Sequence, residues 1–407
     1  MNSAEVRPPP KRKYTSAARQ MVRGTMNDRE RFISVAVKQE PDYIPIFGFP
    51  GAPGMSRGCQ KPAHQRLWDT GMPSCVTKGQ KDDIENWYRY WGTTGPVTLD
   101  FSLAWGAEGI KNKSREENGY IIIEGEDGSV TREVKDNPDT YSMPEFRVYP
   151  VRDRDSWEFY KTHTSLRLFM SREEMEQNCR RFDRRERPLV IGAGSTFGRI
   201  RSLMGTEAAS IALYDDPELV HGMIESVREH NRQFVFPLIE RLRPEVVACW
   251  EDIGYKTSML ISPGKFREFC APLYKEIADC ACSCGVPVLT VDSDGCAMEL
   301  VPLLVECGFN SLYPFEAKGN NDLFVLRERF PELVMFGWLE KEVINEGNER
   351  LIEPEIRGKV PRLLEKGCYF PNGDHGIQPL ATFPNLRKFM ALLHEVCRNP
   401  EGDFQKT

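Results

Sequence analysis

Three features of this sequence predict an α/β protein built as a (β/α)8 TIM barrel. Eight short apolar runs recur along the chain, helical patterns with clear start signals separate the later ones, and polar residues collect where the runs end. The runs are "YIPIFGF" (43–49), "PVTLDF" (96–101), "PLVIGAG" (188–194), "VVACWED" (246–252), "VPVLTVD" (286–292), "SLYPFE" (311–316), "LVMFGWLE" (333–340) and "CYFPNGD" (368–374). Continuous apolar runs belong to strands buried on both faces, as in a parallel sheet. Eight of them alternating with helices suit closure into a barrel.

The chain begins with a polar leader, residues 1–26, that carries Pro-Pro-Pro and a basic cluster and is expected to be disordered. The barrel is expected over 27–400, with a short tail at 401–407. Asn27 is placed to cap a helix that buries Phe32, Val35 and Ala36. Asp216-Pro217 and Ser262-Pro263 each put a capping side chain before a proline at a first helical position. Between the second and third strands lies an insertion, about 102–187. Within it "NGYIIIEGEDGSVTREV" (118–134) alternates in period two around Glu126-Asp127-Gly128-Ser129, which predicts a β-hairpin. The insertion could form a flap over the barrel mouth, a partner surface or a solvated decoration.

Composition excludes several classes. The 407 residues are 40% hydrophobic, enough for a large core, and the formal charge of -6 argues against a nucleic-acid surface. No apolar run is long enough to span a bilayer, and the basic N-terminus lacks the apolar stretch of a secretory signal. The 12 cysteines, without such a signal, predict free thiols in a reducing cytoplasm.

Barrel enzymes place their chemistry at the C-terminal ends of the strands. Those ends read Trp250-Glu251-Asp252 with Tyr255 and Lys256; Asp292-Ser293-Asp294-Gly295; Tyr313-Pro314-Phe315-Glu316; Trp338, Glu340 and Lys341; and Asn372-Gly373-Asp374-His375-Gly376. The stretch "VDSDGC" (291–296) is no EF-hand. Gly295 follows Asp294 directly, and Leu303 stands where the twelfth-position glutamate is needed. As a strand end, the pleat turns Asp292 and Asp294 the same way, placed to share a cation or hold a proton between them. His375, one of 6 histidines, lies in a glycine-flanked loop. With Asp292, Asp294 and Glu251 it makes a set of oxygens plus one imidazole, acceptable to zinc or a harder divalent ion. "CACSC" (280–284) precedes the fifth strand, so its thiols are expected to be buried at the opposite end of the barrel. "IGAGSTFG" (191–198) misses the dinucleotide-binding spacing. Arg199 and Arg201 just after it either hold a substrate carboxylate or stand as solvated helix arginines.

The stretches "NDRERFISVAVKQEPDYIPIFGF", "LMGTEAASIALYDDPELVHGMI", "WEDIGYKTSMLISPGKFREFCAPLYKEI", "VDSDGCAMELVPLLVECGFNSLYPFEA" and "NGDHGIQP" resemble the uroporphyrinogen decarboxylase superfamily over most of residues 27–397. That resemblance implies the barrel fold and two activities. The decarboxylases work without a metal, but their Arg-Gln-Ala-Gly-Arg-like stretch after the first strand is replaced here by "GFPGAPGMSRG", and "DFSLAWG" lacks the aspartate of their Phe-Ser-Asp-like motif. The cobalamin-dependent methyltransferases hold zinc through His-x-Cys-Gly at the fifth strand and a cysteine at the eighth. The matching positions are Asp292, Asp294 and His375, with Gly295 and Gly376 in step.

The resemblance therefore implies methyl transfer from a small O- or N-methylated substrate. It implies zinc or another divalent metal on Asp292, Asp294, His375 and Glu251, the same four residues serving as the catalytic set. Tyr255, Tyr313, Trp338 and Lys341 are expected to shape the substrate pocket. No Asp-x-His-x-x-Gly cobalamin module is present, so the corrinoid would arrive on a separate protein. A homodimer is compatible with this reading. The alternatives are a metal-independent decarboxylase of the uroporphyrinogen type, with Asp292 or Asp294 handling the proton, and a non-catalytic binding barrel.

Overall fold

The computed structural model describes residues 26–51, 61–76, 84–99, 112–135, 144–164, 171–345 and 349–406. The expected disordered leader, apart from Met26, lies outside these residues, as do the end of the second apolar run and the start of the insertion. The described strands are β1 (Val97–Thr98), β2 (Asn112–Glu117), β3 (Tyr120–Gly125), β4 (Val130–Val134), β5 (Glu145–Val148), β6 (Leu189–Gly192), β7 (Val246–Trp250), β8 (Val288–Asp292), β9 (Ser311–Phe315), β10 (Val334–Leu339) and β11 (Tyr369–Gly373). β1 and β6 to β11 form one curled seven-stranded sheet in chain order, every pair parallel. The first predicted strand is present only as a bridge. Phe47 pairs with Thr94, and the Phe47 carbonyl accepts a hydrogen bond of 3.0 Å from the Asn372 side chain of β11. That segment thus lies between the stretch leading into β1 and the far edge strand β11, in keeping with the barrel expected from the apolar runs.

The start signals work as the chemistry demands. Asn27 caps the helix Asp28–Ala36 in a reciprocal box with Glu30. Asp216 and Ser262 accept from the backbone three residues on, each ahead of a proline. The first of these helices closes the bottom of the barrel. Its fully buried Phe32 ring lies 4.8 Å from those of Phe47 and Phe370, and Phe336 stacks on Phe370 at 4.6 Å. Burial of Phe32, Phe336 and Phe370, with Phe47 partly buried against them, is a large apolar contribution at the N-terminal strand ends.

The insertion holds more than a hairpin. β3 and β4 pair antiparallel as predicted, with Glu124 opposite Val130, but β2 and β5 extend them into a four-stranded sheet. β2 reads "NKSREE" and is exposed throughout, so it shows no apolar alternation to find. The tail packs on the barrel: Phe404 is buried, its ring 5.4 Å from Trp91. One other expectation is corrected. The "CACSC" thiols are only partly buried, with Cys282 exposed, because they ride the last turn of the helix Ala271–Ser283.

Glu245 ties the bottom together. Its buried carboxylate accepts from Arg29 at 2.7 Å, from Arg185 at 2.8 Å and from the Leu189 backbone at 2.8 Å, joining the first helix to the starts of β6 and β7. Burial pushes this carboxyl up, but its bonds to Arg185 and the charge of Arg29 outweigh burial and hold it below its ordinary value of 4.5. Glu245→Ala should cost about 3–5 kcal/mol in urea unfolding at pH 7, since two arginines lose their buried partner. The stabilisation from Glu245 should be fully present above about pH 4.5 and fade as pH falls through its lower folded value.

Candidate active site

The strand ends that carry polar residues do converge. Two overlapping groups of side chains bring ligand atoms within 4.8 Å of one another: Asp294, Glu316 and His375, and Asp252, Asp292 and Asp294. Asp292 ends β8, Glu316 directly follows β9, and His375 lies two residues beyond β11. Gly295 makes the junction possible. Its backbone N–H donates to the Glu316 carboxylate at 2.6 Å with φ at 84°, and a Cβ there would sit 2.7 Å from the Tyr255 carbonyl oxygen.

His375 Nε2 lies 3.1 Å from Asp294 Oδ1, while its buried Nδ1 stands 3.7 Å from Glu316 Oε1 and lacks a hydrogen-bond partner. Burial pulls this imidazole down, but the bond to Asp294 and its charge outweigh burial and lift the group above its ordinary 6.5, against the opposing charge of Lys341. Behind it the buried Asp374 accepts from the Ala317 backbone at 2.9 Å, and burial raises its carboxyl while Lys341 lowers it. Asp252, in a left-handed conformation at φ 46°, is held by Arg201 at 2.9 Å. An unpartnered imidazole nitrogen beside several carboxylate oxygens fits a divalent cation.

The structure does not bring Glu251 to this cluster. Its carboxylate is completely buried and faces the other way, accepting from Thr196 N at 2.5 Å, Thr196 Oγ1 at 2.6 Å, Gly198 N at 2.6 Å and the Tyr274 hydroxyl at 2.5 Å. It is seated at the N-terminus of the helix Phe197–Met204. Burial pushes its carboxyl up, against these four donors. Asp252 and Glu316 stand in the cluster where Glu251 was expected. Both stand at strand ends in the sequence, which is the signal that could have found them.

Below the cluster the barrel interior opens into a cavity of about 570 Å3, whose wall includes Phe47, Arg199, Trp250, Thr290, Asp292, Tyr313 and Phe336. Of the predicted pocket residues, Tyr313 lines it. Trp338 does not: Gly337 and Trp338 have φ of 93° and 71°, which breaks the pleat and turns the indole outward to donate to the Asn321 carbonyl at 2.9 Å. Tyr255 is exposed on the rim and is held through its backbone. Lys341 is mostly buried beside Asp374, its Nζ 3.8 Å from the carboxylate.

A family model described as uroporphyrinogen decarboxylase (URO-D) matches residues 137–396. No curated protein gives a significant match. Among solved structures, a methyltransferase from Methanosarcina mazei superposes with a TM-score of 0.54 at 14% identity, covering 91% of this chain and 99% of that one. At that identity the likeness is one of fold. Among the described residues, no helix is long and apolar enough to cross a membrane.

Two measurements check this geometry. Glu251→Ala should lower stability by about 3 kcal/mol or more, because it strands buried donors, whereas a residue of the surface cluster would not. In metal-free protein an NMR titration should place the His375 midpoint above 6.5, and Asp294→Asn should bring it down. Because the folded value is raised, this pair stabilises fully below about pH 6.5 and loses its contribution as pH rises through the His375 midpoint.

Proposed function

The chain belongs to the uroporphyrinogen decarboxylase family, and within it we propose a methyltransferase that takes a methyl group from a small O- or N-methylated substrate. The observation that carries this reading is the meeting of an oxygen-rich cluster and one imidazole with the mouth of an apolar cavity, through Asp292. Fold likeness to the Methanosarcina mazei methyltransferase over nearly its whole length supports it.

Asp294, Glu316 and His375 would hold the divalent cation, zinc or a harder ion, with Asp252 and Asp292 beside them. Such a cation, when bound, supplies Lewis acidity toward the substrate's oxygen or nitrogen, and carboxylates keep it harder than thiolates would. The protein's own part is positional. The apolar wall excludes water from the substrate body, and Asp294 orients the His375 ring through Nε2. The carboxylates of Asp292 and Asp294, in one group with Asp252, stand where one of them could return a proton to a departing oxygen. The corrinoid acceptor would come on a separate protein.

The same carboxylate group favours a second reading, a metal-independent decarboxylation in which Asp292 or Asp294 delivers the proton. A polycarboxylate tetrapyrrole fits poorly, because Arg199 is the one Lys or Arg among the described residues lining the cavity.

Metal analysis joined to a methyl-transfer assay tests the proposal. Purified protein should carry about one divalent ion per chain. His375→Ala and Glu316→Ala should each lose it and lower methyl transfer to a corrinoid protein by roughly 100-fold or more. Metal-free protein that consumes uroporphyrinogen would establish the decarboxylase instead. Protein that binds neither metal, corrinoid protein nor tetrapyrrole would be a binding barrel.

A further inference from the structure

We propose that the barrel cavity takes a phenol carrying a methylated oxygen at the opposite end of its ring, the phenol hydroxyl held deep in the barrel between the hydroxyls of Thr290 and Ser311. This rests on the cavity being the substrate site of the methyl transfer proposed above.

β8 lays out the axis of the site. Alternation along the strand turns Val288, Thr290 and Asp292 toward the barrel interior. Val288 packs in the cluster of Phe32, Phe336 and Phe370 at the floor, Thr290 lines the cavity, and Asp292 lines it and joins the carboxylates of the mouth. Ser311 of β9 stands beside Thr290 in the ladder and shares its inward face with Tyr313, which also lines the cavity. Thr290 is 8% exposed and Ser311 1%, and neither Thr290 Oγ1 nor Ser311 Oγ has a hydrogen-bond partner. A buried hydroxyl left unmatched costs about 1–3 kcal/mol, and here two such groups are neighbours in an otherwise apolar layer. A phenol O–H both donates and accepts, so one ligand group satisfies the pair. An ether oxygen can only accept, and a bare ring edge does neither.

Thr290 and Asp292 are two residues apart on one strand face, roughly 7 Å of rise, so the buried hydroxyl and the mouth fall at opposite ends of a ring rather than on adjacent carbons. Phe47, Trp250, Tyr313 and Phe336 supply ring faces along the wall for a planar body. Room for the ring comes from a missing side chain. A Cβ built on Gly192 of β6 meets nothing within 4 Å, and its φ is not left-handed, so a larger residue there would fill the cavity without backbone strain. In the transfer the bond from oxygen to methyl carbon breaks with its electron pair left on the ring oxygen. A proton from the mouth carboxylates makes that oxygen a hydroxyl, and the reduced corrinoid of the partner protein supplies the pair for the new bond to carbon.

The test is calorimetric binding of 4-methoxyphenol, 2-methoxyphenol and methoxybenzene to the full chain. The first should bind at least roughly tenfold tighter than the other two, since a site built to hydrogen-bond a hydroxyl rejects the analogue that lacks or misplaces it. Thr290→Val and Ser311→Ala should each weaken 4-methoxyphenol about tenfold and leave methoxybenzene unchanged. Neither should lower the melting temperature of the ligand-free protein, because each removes an unmatched buried hydroxyl; a purely structural role would lower it. Gly192→Leu should abolish binding of all three with an unchanged melting temperature, which separates blockage from misfolding. Equal binding of methoxybenzene and 4-methoxyphenol, hydroxyl variants that retain the preference, or no saturable binding of any phenol would overturn the proposal. Selective phenol binding without methyl transfer would sink the methyltransferase reading alone; methyl transfer without phenol selectivity would sink only this one.

Discussion

The mouth of this barrel is organised by one buried carboxylate. Glu251 gathers four donors from two other elements, Thr196 and Gly198 at the start of one helix and Tyr274 within another. A carboxylate taken out of water needs such a shell, and the shell fixes the end of β7 against its neighbours. The backbone N–H groups of Glu251 and Asp252 both point to the Asp292 carbonyl, at 2.8 Å and 3.3 Å. With that junction locked, the next residue has little choice. Asp252 takes a left-handed turn and sends its carboxylate toward Asp292 and Asp294, where Arg201 steadies it.

A second constraint shapes the space beneath. Small barrels normally fill their interiors with layers of side chains. Here the bottom is filled, by Phe32, Phe336 and Phe370, while the upper part is left open where Gly192 and Ala248 take the places of larger residues. The result is a gradient from a dry aromatic floor to a charged rim. A substrate lying along it would have its apolar body desolvated and its reacting group delivered to the cluster that holds Asp294, Glu316 and His375.

Much of this was legible in the chain. Parallel strands buried on both faces announce themselves as apolar runs, and six of the eight runs became ladder strands nearly at the predicted bounds. Proline and a capping side chain marked helix starts correctly at Asp216 and Ser262. The sheet of the insertion was only half visible, because β2 buries nothing and so has no hydrophobic period. Among site residues, Asp292, Asp294 and His375 stand where strand-end reasoning put them, and the structure draws them into overlapping groups.

What the sequence by itself determined is the barrel, its polar rim and the identity of the strands that supply it, since burial period and capping chemistry are local and short in range. Only the tertiary structure decided which rim residues meet. Of the adjacent pair Glu251 and Asp252, the longer side chain is drawn into a buried nest of donors and the shorter one faces the cluster. Trp338 left the pocket because two positive φ angles ended the alternation that would have pointed it inward. Glu316 entered the cluster through a bond to the backbone of Gly295, twenty-one residues away. Once a strand's pleat ends, side-chain direction is no longer set by period two. Hydrogen bonds to distant segments set it, and those exist only in the folded chain.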